Sequence, residues 1–208
     1  SEMTMAPNSH EYENVYVSLR TLPERHRELV WWALQVRIDC DCHLNGVRTV
    51  QSFGGGDTFD ELAPNFLAMV IPAARAQMAC DPDATVFVDI GAGAGLQLLL
   101  AAIMGWFEVC WGLEYNQMLV DTWLKWSSKL VTLNPQVWKP LVDKISLAHG
   151  NVRQHDMLPH YLRRASLVLC WNSCFTVPDD IRMFELVDEH MAVPDAVLVV
   201  GTRPVTVP

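Results

Sequence analysis

Residues 86–97 combine an aspartate, a glycine-rich turn and an apolar run, a pattern typical of sites for small charged ligands. Asp89 lies within a short apolar run, and glycines follow at alternate positions, Gly91, Gly93 and Gly95. Glycine permits a sharp turn and lets a ligand approach the backbone closely. The apolar residues that follow predict a helix whose free N–H groups favour an anion. The sequence therefore predicts a buried strand, a tight turn and a helix N-terminus around a nucleotide-type site.

The spacing of the glycines narrows the class of ligand. A dinucleotide-binding turn reads G-x-G-x-x-G, whereas this turn reads G-x-G-x-G. With Asp89 at the strand end, it resembles the first motif of S-adenosylmethionine-dependent methyltransferases, whose aspartate holds the methionine ammonium. An acidic residue at the end of the next strand would then hold the ribose hydroxyls, and Glu114 has that position. The alternative is a glycine turn that only shapes a loop.

Alternating strands and helices are predicted to position these residues. Strands are predicted at 86–90, 108–113, 144–148, 167–171 and 196–200, and helices at 21–38, 115–133 and from 178 onwards. The helix at 115–133 is expected to carry the following residues on one side: Met118, Leu119, Thr122, Trp123, Trp126 and Leu130. A further helix is expected after the loop 51–60, whose three consecutive glycines make it a candidate lid.

This alternation predicts an α/β fold, a Rossmann-like, doubly wound parallel sheet preceded by a helical segment. In such a sheet the ligand crevice lies beyond the carboxyl ends of the strands. Four polar residues are expected at those ends: Asp89, Glu114, Asn151 and Asn172. Their convergence is the main sequence evidence for a functional site.

Composition limits the other classes of function. A chain of 208 residues that is 50% apolar can bury one sizeable core, and no apolar run has the length of a membrane span. A net charge of −9 argues against a free-standing nucleic-acid binder. The six cysteines show no disulfide-scaffold spacing and are expected to be reduced thiols. The Cys40-Asp41-Cys42-His43 stretch has no second pair of ligands, so we expect no metal there.

With these residues in place, the chain resembles the disruptor-of-telomeric-silencing (Dot-one) family of histone lysine methyltransferases. The family's strand and glycine turn correspond to residues 87–95, and its G-E-T-S-F-D loop to residues 56–60. Its G-V-E strand end corresponds to residues 112–114, its G-D-F element loosely to 150–152, and its V-N-N-F-A-F element to 170–175. The resemblance covers about residues 50–203, so we expect a catalytic domain at 51–208 after a helical segment at 1–50.

The resemblance implies roles for individual residues. The methionine end of the cofactor would lie at Asp89 and the glycine turn, the ribose at Glu114 and the adenine amine at Asn151, with a lid from the loop before the sheet. The full set of implied cofactor contacts is Asp57, Thr58, Asp89, Gly91, Gly93, Gly95, Gln97, Glu114, Tyr115, Asn151, Val152 and Asn172. A lysine channel would be bordered by Trp171, Asn172 and Phe175, with Phe53 as a further wall.

Several positions depart from the family pattern. The glutamine expected directly after the last glycine is Leu96, with Gln97 one place later, and the adenine-reading aspartate is Asn151. Trp171 stands at the first of the paired asparagines, and the family's C-terminal hairpin with its channel tyrosine would follow Pro208. Such divergence suggests a protist enzyme of trypanosomatid type, and the resemblance implies a nuclear chromatin regulator.

Three functions remain from the sequence. The first is methyl transfer from S-adenosylmethionine to a lysine of a nucleosomal histone, expected to be histone H-three. The second is methyl transfer by the same fold to a small molecule or RNA, and the third is a non-catalytic interaction module, which Leu96 and Trp171 leave open. We expect the chain to bind a nucleosomal histone, to contact DNA only weakly through this segment, and to bind no membrane. No general base is expected, because the channel must receive a neutral amine.

Overall fold

The computed structural model describes residues 22–40, 70–71, 73–74, 76, 85–171 and 175–201. The helices within residues 22–40, 85–171 and 175–201 are α1 Glu24–Asp39, α2 Leu96–Met104, α3 Gln117–Leu133, α4 Pro135–Val142, α5 Leu158–Leu162 and α6 Val177–His190. The strands are β1 Val86–Ile90, β2 Val109–Glu114, β3 Ile145–His149, β4 Ala165–Trp171 and β5 Val197–Gly201. Each of the five predicted strands is present, with ends that differ by no more than two residues.

The five strands form one parallel sheet in the order β3-β2-β1-β4-β5. The chain runs outwards from β1 to β3, then returns to the other side of β1 and runs outwards again. The order therefore reverses between β1 and β4, which makes this the switch point of a doubly wound sheet. The predicted α/β, Rossmann-like fold class is confirmed.

Helices cover both faces of the sheet because side chains alternate along each strand. Phe87 of β1 and Leu169 of β4 lie in one apolar cluster with residues of α1 to α4. Val88 and Cys170 lie in a second cluster with residues of α5 and α6. Strands buried on both faces are near-continuously apolar, as β1 and β4 are.

α2 is buried along its whole length, because the neighbouring helices α1 and α4 and the strands β1 to β3 all contact it. Its nine residues include no charge, and Gln97 is the only polar residue. Glycines with left-handed backbone end it on both sides: Gly95 at φ 79° and Gly105 at φ 73°. The sequence predicted the start of this helix near Gly95, and it begins at Leu96.

α3 packs its aromatic residues against the glycine turn. Trp126 is fully buried, and its Nε1 donates to the carbonyl oxygen of Ala94 at 3.0 Å. The predicted side of the helix is not buried throughout: Met118 is 54% exposed, because the buried face centres on Leu119, Trp123 and Trp126.

α1 packs into the same core as the sheet. Val30, Ala33 and Leu34 are buried in the first cluster, and the Arg37 guanidinium lies 5.7 Å from the centre of the Trp126 ring. Lys125 of α3 donates to the carbonyl oxygen of Cys40, just past the end of α1, at 2.6 Å. The helix thus contacts the elements that hold the glycine turn.

Among the described residues, Cys40, Cys110 and Cys170 are free thiols, and burial raises the pKa of Cys110 to about 12. None of the described helices combines the length and the apolar character that crossing a membrane requires.

Candidate cofactor and acceptor site

Asp89 and Glu114, two of the polar residues predicted at the strand ends, lie towards the carboxyl ends of adjacent strands. Asp89 pairs in register with Gly112 of β2 and Leu169 of β4, and Glu114 pairs with His149 of β3. Asp89 is 2% exposed and Glu114 is 8% exposed. Asp57, Thr58, Phe53 and Asn172 lie outside the described residues.

The glycine turn is held by β2. Gly91 N and Ala92 N both donate to the carbonyl oxygen of Leu113, at 2.8 and 3.0 Å. The φ angles are 84° at Gly91, 55° at Gly93 and 79° at Gly95, all in the left-handed region that favours glycine. A Cβ at Gly95 would also lie 2.6 Å from Cε3 of Trp123. Glycine at position 95 is therefore required both by the backbone conformation and by the close approach of α3.

The Glu114 carboxylate occupies the turn itself. Its Oε2 accepts from Gly93 N at 2.8 Å, and its Oε1 accepts from Asn116 N at 2.8 Å. Burial raises the pKa of Glu114, although the backbone hydrogen bonds from Asn116, Gly93 and Tyr115 and the nearby His149 work against this rise. The sequence predicted that the free N–H groups at the start of the helix favour an anion in the turn. The structure adds that Gly93 N, before that helix, donates to a carboxylate of the protein.

A second group of carboxylates lies around Cys170 at the end of β4. Burial raises the pKa of the Cys170 thiol, and the charges of Asp89 and Asp180 raise it further, which reflects their proximity. Together with Glu114 on β2, which neighbours β1, these carboxylates give the crevice edge several acidic groups. This electrostatic environment favours a cationic ligand over a phosphate.

The segment after β3 carries the predicted adenine contacts. Gly150 N donates to the carbonyl oxygen of Glu114 at 2.9 Å, which links this segment to β2. Asn151 Oδ1 accepts from Arg153 N at 2.9 Å, so the asparagine shapes its own turn. The Val152 side chain is buried in the second cluster. Any ligand contact by Val152 must therefore use its backbone.

The two described residues that were predicted as channel walls, Phe175 and Trp171, pack in different places. A Cβ at Gly91 would lie 3.1 Å from Phe175 Cε1, so the phenyl ring packs over the start of the glycine turn. The Trp171 ring packs against β5, on the other side of β4: a Cβ at Gly201 would lie 1.9 Å from Trp171 Cε3. Phe175 therefore contacts the glycine turn, whereas the Trp171 ring lies against β5.

The other predicted cofactor residues are less directly placed. Gln97 is the second residue of α2 and is 4% exposed. Tyr115 directly follows Glu114 and is 62% exposed. The Tyr115 carbonyl oxygen lies 2.9 Å from His149 Nε2.

The sequence reasoning missed a polar link beside these segments. Arg153 Nε donates to Asp179 Oδ1 at 2.6 Å, and an Nη of Arg153 donates to Thr176 Oγ1 at 3.3 Å. Burial tends to raise the pKa of Asp179, but hydrogen bonds from Arg153 and Thr176 outweigh it and hold the pKa below its usual value. The acidic start of α6 was visible in the sequence, but its partner 26 residues away was not.

Comparison with known protein families finds none that matches this chain, and comparison with curated proteins finds no match either. Among solved structures, 123 chains match. One is the methyltransferase domain of bacterial CtHen1, with 14% identity and a TM-score of 0.48 over 64% of this chain and 63% of that one. Another is a putative sarcosine dimethylglycine methyltransferase from Galdieria sulphuraria, with 13% identity and a TM-score of 0.47 over 66% of this chain and 44% of that one.

A third similar structure is an amino pentose methyltransferase from Micromonospora echinaspora, solved with S-adenosylmethionine bound. It has 19% identity and a TM-score of 0.43 over 95% of this chain and 58% of that one. This chain thus spans less than two thirds of the length of each of the three structures. At such low similarity, the strand order and the glycine turn carry the fold assignment, which is a Rossmann-like, doubly wound parallel sheet.

Proposed function

We propose that this chain is an S-adenosylmethionine-dependent methyltransferase that acts on a lysine side chain of a nucleosomal histone. The observation that carries the cofactor is the Glu114 carboxylate in the glycine turn, bonded to Gly93 N at 2.8 Å. A nucleotide phosphate at this turn would meet buried negative charge at Glu114 and Asp89. A ligand with an ammonium, a sulfonium and two hydroxyls meets complementary charge and hydrogen-bond acceptors.

The acceptor capacity of Glu114 fits this ligand. A carboxylate offers about four lone-pair sites. Gly93 N and Asn116 N use one on each oxygen, and the backbone of Tyr115 also contacts the carboxylate, which leaves acceptor capacity for a ribose hydroxyl. Asp89 would hold the methionine ammonium, and the segment at Asn151 and Val152 would lie against the adenine.

S-adenosylmethionine, when bound, supplies an electrophilic methyl group on a sulfonium centre. The protein's part is to align the acceptor nitrogen with that group and to exclude water. Phe175 packs over Gly91 and would border the channel of the acceptor amine. An apolar wall disfavours the ammonium form of a lysine, so the amine arrives neutral and no dedicated base is needed.

The choice of a histone lysine, in particular on histone H-three, is supported by the resemblance of residues 56–60, 112–114 and 170–175 to the Dot-one family. It implies a nuclear protein that modifies chromatin. The competing substrates are a small molecule or RNA, and the net charge of −9 speaks against RNA. The remaining alternative is a module that keeps the fold for protein contacts without catalysis.

Cofactor binding tests the first part of the proposal. We expect S-adenosylhomocysteine to bind, and Glu114→Ala to weaken it about tenfold or more, because charged hydrogen bonds contribute about 1.5–3 kcal/mol each. Glu108→Ala is the matched control, since Glu108 is exposed just before the opposite end of the same strand. Titration calorimetry on the three proteins decides. Equal affinities for wild type and Glu114→Ala would mean that Glu114 does not hold the ribose.

Methyl transfer tests the second part. We expect label from radioactive S-adenosylmethionine to appear on histone H-three in nucleosomes, and not on RNA or on a panel of small amines. Asn172→Ala should lower turnover much more than cofactor affinity, since position 172 directly follows β4. Cofactor binding without transfer to any substrate would favour the non-catalytic module.

A further inference from the structure

Arg153 forms a polar link between two segments at the crevice edge. Its Nε lies 2.6 Å from Asp179 Oδ1, and one of its Nη atoms lies 3.3 Å from Thr176 Oγ1. Thr176 caps α6, and its backbone N donates to Asp179 Oδ2 at 3.2 Å. Arg153 therefore contacts both polar residues of the capping box at the start of this helix.

The two linked segments follow strands that are not neighbours. β3 and β4 are separated in the sheet by β2 and β1, a lateral distance of about 14 Å at the usual strand spacing. No main-chain ladder between these two strands therefore sets the position of one segment relative to the other. The side-chain contacts of Arg153 make that connection directly.

Each segment has a separate place in the proposed reaction. Asn151 and Val152, just before Arg153, belong to the proposed adenine contacts. Phe175, just before Thr176, packs over Gly91 and belongs to the proposed acceptor channel. Gly150 N is bonded to the carbonyl oxygen of Glu114, so one end of the adenine segment is attached to β2 and the other end to α6.

We propose that Arg153 is a positioning residue for methyl transfer. Its bonds to Asp179 and Thr176 fix the acceptor segment (Phe175 and Thr176) relative to the cofactor segment (Asn151 to Arg153). This inference rests on the proposed function. Arg153 itself does not touch the reacting atoms. It acts through Thr176, the cap of α6, which directly follows Phe175.

A purely structural role makes a different prediction. The side chains of Arg153 and Asp179 are 43% and 18% exposed, and partly exposed ion pairs add little to stability. Loss of the pair would then leave turnover unchanged. A positioning role instead predicts a loss of turnover with little change in melting temperature, because misplacement of about 1 Å can cost up to about a hundredfold in rate.

The test compares Arg153→Ala, Arg153→Lys and Arg182→Ala. Arg182 is a matched control, since it forms an ion pair at 3.1 Å with Glu185 within α6 and does not reach the cofactor segment through that pair. We expect Arg153→Ala to lower kcat about tenfold or more at saturating cofactor and acceptor, with a smaller change in the Kd of S-adenosylhomocysteine. Arg153→Lys should recover part of the loss, and Arg182→Ala should match wild type.

The possible failures are distinguishable. Wild type that binds no S-adenosylhomocysteine, or transfers no methyl group, overturns the proposed function and this inference with it. Wild type that is active beside an Arg153→Ala variant with the same kcat as Arg182→Ala overturns the inference alone. The inference alone is also overturned if Arg153→Ala loses activity only in proportion to its folded fraction, as measured by circular dichroism.

Discussion

The carboxylate of Glu114 is the residue on which the proposed ligand class depends. It is 8% exposed and is bonded to the backbone of the turn in which a dinucleotide would place its pyrophosphate. A buried anion in that place excludes a second anion by charge repulsion and by competition for the same N–H group. Since an acidic residue at this strand end also holds the ribose in dinucleotide sites, it is the bond of Glu114 to Gly93 N, inside the turn, that favours a cofactor without a phosphate.

The raised pKa of Glu114 predicts a pH dependence of cofactor binding. The ionised carboxylate accepts best from the backbone and from a ribose hydroxyl together, so affinity should be full above the raised pKa and should fall as the pH drops through it. The loss should therefore begin at a higher pH than for an ordinary glutamate. Calorimetry with S-adenosylhomocysteine over a pH series measures it. Glu114→Gln should show weaker binding without this dependence, and an equal slope in both proteins would contradict the assignment to Glu114.

The same residues show what sequence alone could identify. Asp89 and Glu114 were predictable because each ends an apolar run, and parallel strands bring such ends to one edge. The hydrogen-bond partner of Glu114 was not predictable, since nothing in the residue spacing indicates that its carboxylate accepts from Gly93 N. Arg153 was missed for a related reason: a single exposed arginine carries no pattern that points to a helix 26 residues later.

At the scale of elements, α2 connects the glycine turn to the core. It is enclosed on all sides, and a left-handed glycine ends it on each side. The two glycines share a backbone conformation but differ in surroundings. Gly95 faces the Trp123 ring, whereas nothing lies within 4 Å of a Cβ built on Gly105.

This difference predicts unequal costs for the same substitution. Gly105→Ala should cost about 1–2 kcal/mol in the free energy of unfolding, the usual strain of a left-handed residue. Gly95→Ala should cost clearly more, because its Cβ would lie 2.6 Å from Trp123 Cε3 in addition to the strain. Urea unfolding of both variants checks this. Equal losses would mean that Trp123 moves aside without cost.

The start of α6 predicts a change in stability in acid. The pKa of Asp179 is lowered by Arg153 and Thr176 against the effect of burial. A carboxyl with a lowered pKa stabilises the fold above its ordinary pKa, and this contribution is lost as the pH falls through the lowered value. Wild type should therefore melt higher than Asp179→Asn near neutral pH, and the difference should shrink in acid. A difference that stayed constant down to strongly acidic pH would assign the effect to capping geometry in place of charge.

The elements themselves were recovered unevenly from the sequence. The five strands were predicted because buried apolar runs bounded by polar residues are clear signals. α4 was missed because it begins at Pro135, directly after Asn134, which ends α3 and caps α4 at once. α5 was missed because a helix of five residues is too short to show a periodic pattern.

For the molecule as a whole, the charge balance limits how it meets chromatin. Fifteen basic residues stand against 24 acidic ones, for a net charge of −9. Several basic residues of the described region are already paired with carboxylates, among them Arg153, Arg182 and Lys139. DNA binding depends on basic groups that release counterions from phosphate.

We therefore predict that these 208 residues bind the cofactor well but bind nucleosomes weakly, with a shallow dependence on salt. A protein that neutralises few phosphates releases few counterions, so the slope of affinity against salt is small. Nucleosome binding at several salt concentrations measures this slope. Free DNA of the same length is the control, and tight, steeply salt-dependent binding to both would contradict the prediction.

The position of β1 in the middle of the sheet has a consequence for synthesis on the ribosome. Its partner on one side, β4, lies 80 residues further along the chain, as the Ser166–Val86 hydrogen bond shows. At translation rates of about 5–20 residues per second, β4 emerges about 4–16 s after β1. During that interval one edge of an apolar strand has no native partner, which exposes the nascent chain to misassembly and to capture by chaperones.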